Sequence, residues 1–293
     1  MTDIEHVVDV REVPGVPAVL VSESGTTLTV TLNRPERRNA INDQMLTALT
    51  EIGDQLKDRV GEIRAVVLRG ARETFCAGGD LKGFHDNLTT ADRVDPGVRA
   101  ELATSNRRYG AVLDTWDRLP QVVIAAVEGA AMGGGVGLAC IADVTIATAD
   151  AMFSTTETSL GLIPAQIAAF VVSRVGGPNA RRLMLTGVPI NGYEAHGLGL
   201  VDIVADDDLP MSTAIESVLA AVRRCAPEAN AVTKAIIHKA LTEPREDVLD
   251  DAALRFADCV LGAEAQAGLA AFVGHRKPWW RELTNDASKV GEP

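Results

Sequence analysis

Two short β-prone runs, Val19 to Val21 and Leu28 to Leu32, flank Ser24-Gly25, which is the pattern of a hairpin. Asn42 stands where a helix cap belongs. Behind it, Met45, Leu46, Leu49, Ile52, Leu56 and Val60 recur at three- and four-residue steps and predict an amphipathic helix. Ala65 to Leu68 reads as an apolar strand that runs into the loop Phe75-Cys76-Ala77-Gly78-Gly79-Asp80. Residues 98–118 read as a helix stopped at Pro120. Val122 to Val127 reads as a second buried strand leading to Gly129 and Gly133-Gly134-Gly135, and Val144 to Ala147 as a third. Strands and helices alternating in this way predict an α/β domain. After about Val204 the pattern changes to amphipathic helical stretches between Met211 and Ala271, so residues 1–204 are expected to form the main unit and 205–293 a helical appendage. No fixed-period repeat, low-complexity tract or Gly/Ser/Pro-rich linker divides the chain.

Composition narrows the function classes. Hydrophobic residues make up 46% and charged residues 23% of 293 positions, enough apolar mass for a large core and far from disordered or fibrous composition. The 28 Lys and Arg against 40 Asp and Glu give a net charge of −12, a field that disfavours polyanions, so no nucleic-acid partner is expected. The longest stretch without a charged side chain, Thr158 to Ser173, is short and contains Pro164 and Gln166, so no membrane span is expected. The acidic N-terminus does not resemble a secretory signal. Cys76, Cys140, Cys225 and Cys259 lie too far apart for a CxxC pair, which points to a reducing, cytoplasmic setting.

Two glycine-rich turns follow two of the predicted strands, and ligands of α/β sheets bind at strand ends. Gly133-Gly134-Gly135 opens a plausible helix start, where free backbone N–H groups and the helix dipole favour a negative oxygen. Gly78-Gly79 offers a second donor unobstructed by a side chain. The same composition also fits tight turns with no further role. Nucleotide-binding patterns fail: a GxGxxG from Gly133 would need glycine at Leu138, and a P-loop from Gly129 would need lysine at Gly135. His6, His85, His196, His238 and His275 have no metal-ligand spacing, so no metal is expected.

Taken together, Leu32-Asn33-Arg34-Pro35, Asn39-Ala40-Ile41-Asn42, Phe75 to Leu81, Ile124 to Gly129, Met132 to Gly135, Ala142-Asp143, Glu157, Gly161-Leu162-Ile163-Pro164 and Leu185-Thr186-Gly187 resemble the crotonase superfamily of enoyl-CoA hydratases and isomerases. The resemblance spans residues 15–280. It implies a spiral of ββα repeats with C-terminal helices that pack between subunits of a homotrimer or dimer of trimers. It also implies an acyl-CoA substrate, with coenzyme A as part of that substrate and no other cofactor. Residue by residue, it implies an oxyanion hole from the N–H groups of Gly79 and Gly134, an acid/base role for Glu157, and contacts to coenzyme A from Arg34, Arg38, Ala77 and Lys82. Asp80 is expected to hold its loop, and His85 is a further candidate for proton transfer.

The chain departs from the family pattern in two places. The position of the second hydratase glutamate is Gly137, and bulkier apolar residues replace the glycine-rich stretch after Pro164. Both departures resemble hydratases of 3-substituted glutaconyl-CoA esters. The resemblance therefore implies hydration of a 2-enoyl-CoA, on a branched acyl chain. The alternatives are a Δ3,Δ2-enoyl-CoA isomerase with Glu157 as its single base, and a non-catalytic CoA-ester-binding or RNA-binding relative. A glutamate restored at Gly137 is expected to raise hydration of an unbranched enoyl-CoA.

Overall fold

The computed structural model describes residues 17–81 and 96–281. Strands β1 (Val19–Ser24) and β2 (Thr27–Leu32) form the antiparallel hairpin read from the sequence. Asn42 caps α1 (Asp43–Leu56) by accepting a 3.0 Å hydrogen bond from Met45 N, a contact worth about 1 kcal/mol. The buried face of α1 carries Met45, Leu46, Leu49, Ile52 and Leu56. Each side chain fully buried in this way contributes about 1.5–3 kcal/mol. Val60, expected on the same helix, lies beyond it: the chain turns after Leu56 so that the fully buried Ile63 enters the core ahead of β3 (Ala65–Gly70).

Helix α2 (Pro96–Asp117) leads to β4 (Val122–Val127). After it come β5 (Ala130–Met132), α3 (Gly134–Cys140), β6 (Val144–Thr148) and β7 (Met152–Ser154). Helix α4 (Ala168–Thr186), β8 (Ile190–Asn191), α5 (Gly192–Gly197) and β9 (Ile203–Ala205) complete the strand-bearing part. Four helices follow: α6 (Met211–Arg223), α7 (Pro227–Thr242), α8 (Arg245–Leu261) and α9 (Ala263–Val273).

The main sheet has the order β1-β2-β3-β4-β6-β9 and is parallel except at the hairpin. Its central strands are apolar on both faces, which is why they read as unbroken runs and not as alternating ones. Val66, Leu68, Val123, Ala125 and Val127 face the large core with α1 and α2. Ala65, Val67, Ile124, Ala126 and Ile146 face the opposite way and are covered by Ala214, Leu219 and Val222 of α6. A second, three-stranded sheet, β5-β7-β8, stands apart from the first. Its strands are two or three residues long, too short to leave a period in the sequence.

The last helices are tied to the sheet by polar contacts. The Arg64 guanidinium, almost wholly buried, donates to the carbonyls of Val222 and Trp280 at 2.9 Å and also to that of Cys225. Lys234 of α7 donates to Asp143 at 2.6 Å. Among the described residues no single helix is long and apolar enough to cross a membrane; α8 and α9 would qualify only together, across a 64° bend.

Candidate active site

The two glycine turns are held against each other by the backbone. Cys76 N donates to Ala130 O at 2.9 Å, and Met132 N donates to Cys76 O at 2.8 Å, so the loop after β3 runs beside β5 as an isolated parallel bridge. A methyl group built on Gly78 would lie 3.4 Å from Gly134 N, which makes the two turns close neighbours.

Each turn leaves one N–H unspent. Ile41 forms a parallel bridge with Gly79 through Ile41 N to Gly78 O (2.7 Å) and Asp80 N to Ile41 O (3.0 Å). In such a bridge the flanking amides make the bonds, and the N–H of the central residue points to the other side. Gly79 is also exposed. Gly134 is the first residue of α3, where an amide has no intrahelical acceptor. Among the described residues neither N–H is paired with a protein acceptor. Gly133 turns the chain into α3 at φ +49°, and a Cβ there would meet Glu157 Oε1 at 2.8 Å. Both its backbone conformation and its neighbour thus require glycine.

That neighbour is the sequence-predicted acid/base residue. Glu157 follows β7 of the small sheet and opens a 3-10 turn that ends at Leu160. Its carboxyl group is half buried against Gly133, and Oε2 is buried with no hydrogen-bond partner. Burial raises its pKa above the usual glutamate range, opposed weakly by its own backbone N–H. A carboxyl group in this state can exchange a proton with a bound molecule. The nearby hydroxyls are turned toward the end of α4: Ser154 donates to Gly187 O, Thr155 to Leu183 O and Thr158 to Met184 O.

Gly137 lies one turn further along α3, and its surroundings overturn the expectation that a glutamate could be restored there. A Cβ at 137 would stand 2.4 Å from Ile167 Cγ2 and 3.1 Å from Tyr109 Oη. Ile167 is buried just ahead of α4, so it has no room to move aside. Neither Ile167 nor Tyr109 was singled out from sequence. Tyr109 belongs to a legible stripe, with Val112, Leu113 and Trp116 on the buried face of α2, but nothing in that spacing shows that its hydroxyl reaches Gly134 O.

The candidate coenzyme A residues occupy the neighbouring loop. Arg34 pairs with Asp80 at 2.9 Å and also donates to Ala40 O, and both partners of the ion pair are largely buried. Arg34 therefore clasps the loop that presents Gly79, and Asp80 holds that loop as expected from sequence. Arg38 is exposed, and its carbonyl accepts from Ala77 N at 2.9 Å, which places these two residues side by side. Lys82 and His85 lie outside the described residues.

Comparison with known proteins assigns this architecture. The sequence pattern of the enoyl-CoA hydratase/isomerase family matches residues 22–283. The solved structure of AtuE from Pseudomonas aeruginosa is 44% identical, covers 90% of this chain and 99% of its own, and superposes with a TM-score of 0.83. The probable enoyl-CoA hydratase echA8 of Mycobacterium tuberculosis is 32% identical over 270 residues, 89% of this chain and 96% of that protein. The 1,2-epoxyphenylacetyl-CoA isomerase of Escherichia coli is 38% identical over 190 residues, 64% of this chain and 69% of that protein. The chain belongs to the enoyl-CoA hydratase/isomerase family, with the crotonase fold and C-terminal helices. Within it, this protein is an enzyme with the enoyl-CoA hydratase/isomerase family activity, acting on acyl-CoA thioesters.

Proposed function

We propose that the enzyme adds water across the double bond of a 2-enoyl-CoA, on a branched, 3-substituted glutaconyl-type acyl chain. The observation that carries the reading is the buried, unpartnered Glu157 Oε2 set against the turn whose next residue, Gly134, has an unspent N–H. The thioester oxygen accepts from the N–H groups of Gly79 and Gly134, which take up the charge that develops on oxygen as the enolate forms. Glu157 removes a proton from water as it attacks C3, then returns a proton to C2 on the same face. Arg38, Ala77 and Lys82 contact the coenzyme A portion, while Arg34 serves that portion and the Gly79 loop together. The branched-chain reading is supported by the apolar stretch after Pro164, from which Ile167 packs over Gly137.

A second reading, Δ3,Δ2-isomerisation, is favoured by one observation: with glycine at 137, Glu157 is the single carboxylate at the two turns among the described residues, and one base can carry a proton between two carbons without water. Incubation with straight, branched and dicarboxylic enoyl-CoAs, followed by mass spectrometry, separates the two. The expected product is heavier by one water and is formed fastest from a branched dicarboxylic substrate. A product of unchanged mass establishes the isomerase instead.

The assembly we propose is a homotrimer or a dimer of trimers. Leu254, Phe256 and Leu261 of α8, with Leu269, Phe272 and Val273 of α9, are all exposed, an apolar surface that subunit contact would cover. Sedimentation velocity is expected to give three or six times the chain mass, and a monomer at micromolar concentration rules this out. The four free thiols, two of them buried, fit the reducing cytoplasm expected from sequence.

A further inference from the structure

Tyr109, on the buried stripe of α2, sets its hydroxyl beside Gly134 and Gly137. Its hydroxyl oxygen lies 3.1 Å from the point a Cβ on Gly137 would occupy and 3.3 Å from the corresponding point on Gly134. The hydroxyl donates to Gly134 O, so its single proton is committed and its lone pairs remain to accept. Burial keeps the phenol protonated by raising its pKa well above the ordinary value, and the nearby Glu157 charge adds to the effect.

Facing the same turn of α3 is Glu157 Oε2, also an acceptor once ionised, and buried without a partner. Two acceptors on one short stretch of backbone call for a small molecule with two donors. Water has two O–H groups, and with both engaged its lone pair is left to attack.

We propose that Tyr109 is a positioning residue for hydration: its phenol oxygen accepts one hydrogen of the attacking water while Glu157 accepts the other, at the first turn of α3. The step rests on the hydratase reading above. The O–H bond directed at Glu157 breaks, and its proton goes to the carboxylate as the water oxygen bonds to C3. The C2–C3 π electrons pass into the enolate, which regains the thioester carbonyl when Glu157 returns a proton to C2. Tyr109 neither gains nor loses a proton.

The test uses Tyr109→Phe in the full chain, with two assays: hydration of the best enoyl-CoA, and exchange of the α-protons of the matching saturated acyl-CoA with deuterated solvent. Exchange needs Glu157 and the thioester donors but no attacking water. The expected result is a fall in hydration kcat of about 10- to 100-fold, with exchange and KM within about threefold of wild type. Should Tyr109→Phe disturb folding, 3-fluorotyrosine at the same position keeps the shape, weakens the acceptor, and is expected to lower hydration but not exchange. Unchanged hydration in either variant overturns the inference. So does an equal fall in both assays, because the hydroxyl would then be acting through Gly134. A wild-type enzyme that isomerises but never hydrates overturns the hydratase reading itself, and this inference with it.

Discussion

Glu157→Gln should lower kcat by about a hundredfold or more while leaving CoA-ester affinity nearly intact, because it keeps the shape of the side chain and removes the carboxylate beside the Gly133 turn. Steady-state kinetics with a titration of a saturated acyl-CoA checks both halves. Normal turnover in a folded Glu157→Gln enzyme would show that the base lies elsewhere. In the wild type, activity should fall at low pH with an apparent pKa above the ordinary glutamate value of 4.5, since burial raises that of Glu157. The same shift has a consequence for folding. A raised pKa means that the native chain holds this proton more tightly than the unfolded chain does, so the stability it confers is full below the unfolded pKa and is lost as pH rises through the native one. At neutral pH the half-buried carboxylate is therefore a burden. Glu157→Gln should raise Tm at about pH 7, and that gain should shrink as the pH falls toward 4.5.

Gly134→Pro should reduce turnover by about a hundredfold or more, because it deletes one of the two N–H groups available to the thioester oxygen. The first position of a helix tolerates proline, which lacks only an amide that has no intrahelical partner there, so α3 should persist. The new ring would press on Ile41 Cδ1, which stands 3.0 Å from where a Cβ on residue 134 would lie. Circular dichroism and thermal melting establish that the variant is folded. Activity within a few-fold of wild type in such a protein would remove Gly134 from the mechanism.

How far the sequence led depended on the length scale of the signal. The Asn42 cap, the β1–β2 hairpin and the strand Val122–Val127 are encoded by contiguous residues and were legible. Helix α4 was legible only in part: Gly176-Gly177-Pro178 reads as an interruption, and the helix does break there into two halves at Gly176, whose φ of +73° is non-helical. The site divides in the same way. Gly79, Gly134 and Glu157 stand in motifs that fix their order along the chain. The crowding of Gly137 by Ile167 and Tyr109 joins residues from three helical segments, and no local pattern records it.

The pairing of Cys76 with β5 has a practical consequence. Its backbone stitches the two turns together, and its thiol is fully buried, with a pKa pushed up to about 12 by desolvation. Such a thiol is inert to alkylating reagents until its surroundings part. Cys225, which is exposed, reacts without that wait. In an enzyme whose exposed thiols have already been blocked, the slow labelling of Cys76 becomes a clock for the opening of the turns, and an acyl-CoA that bridges them should slow that clock in proportion to its occupancy.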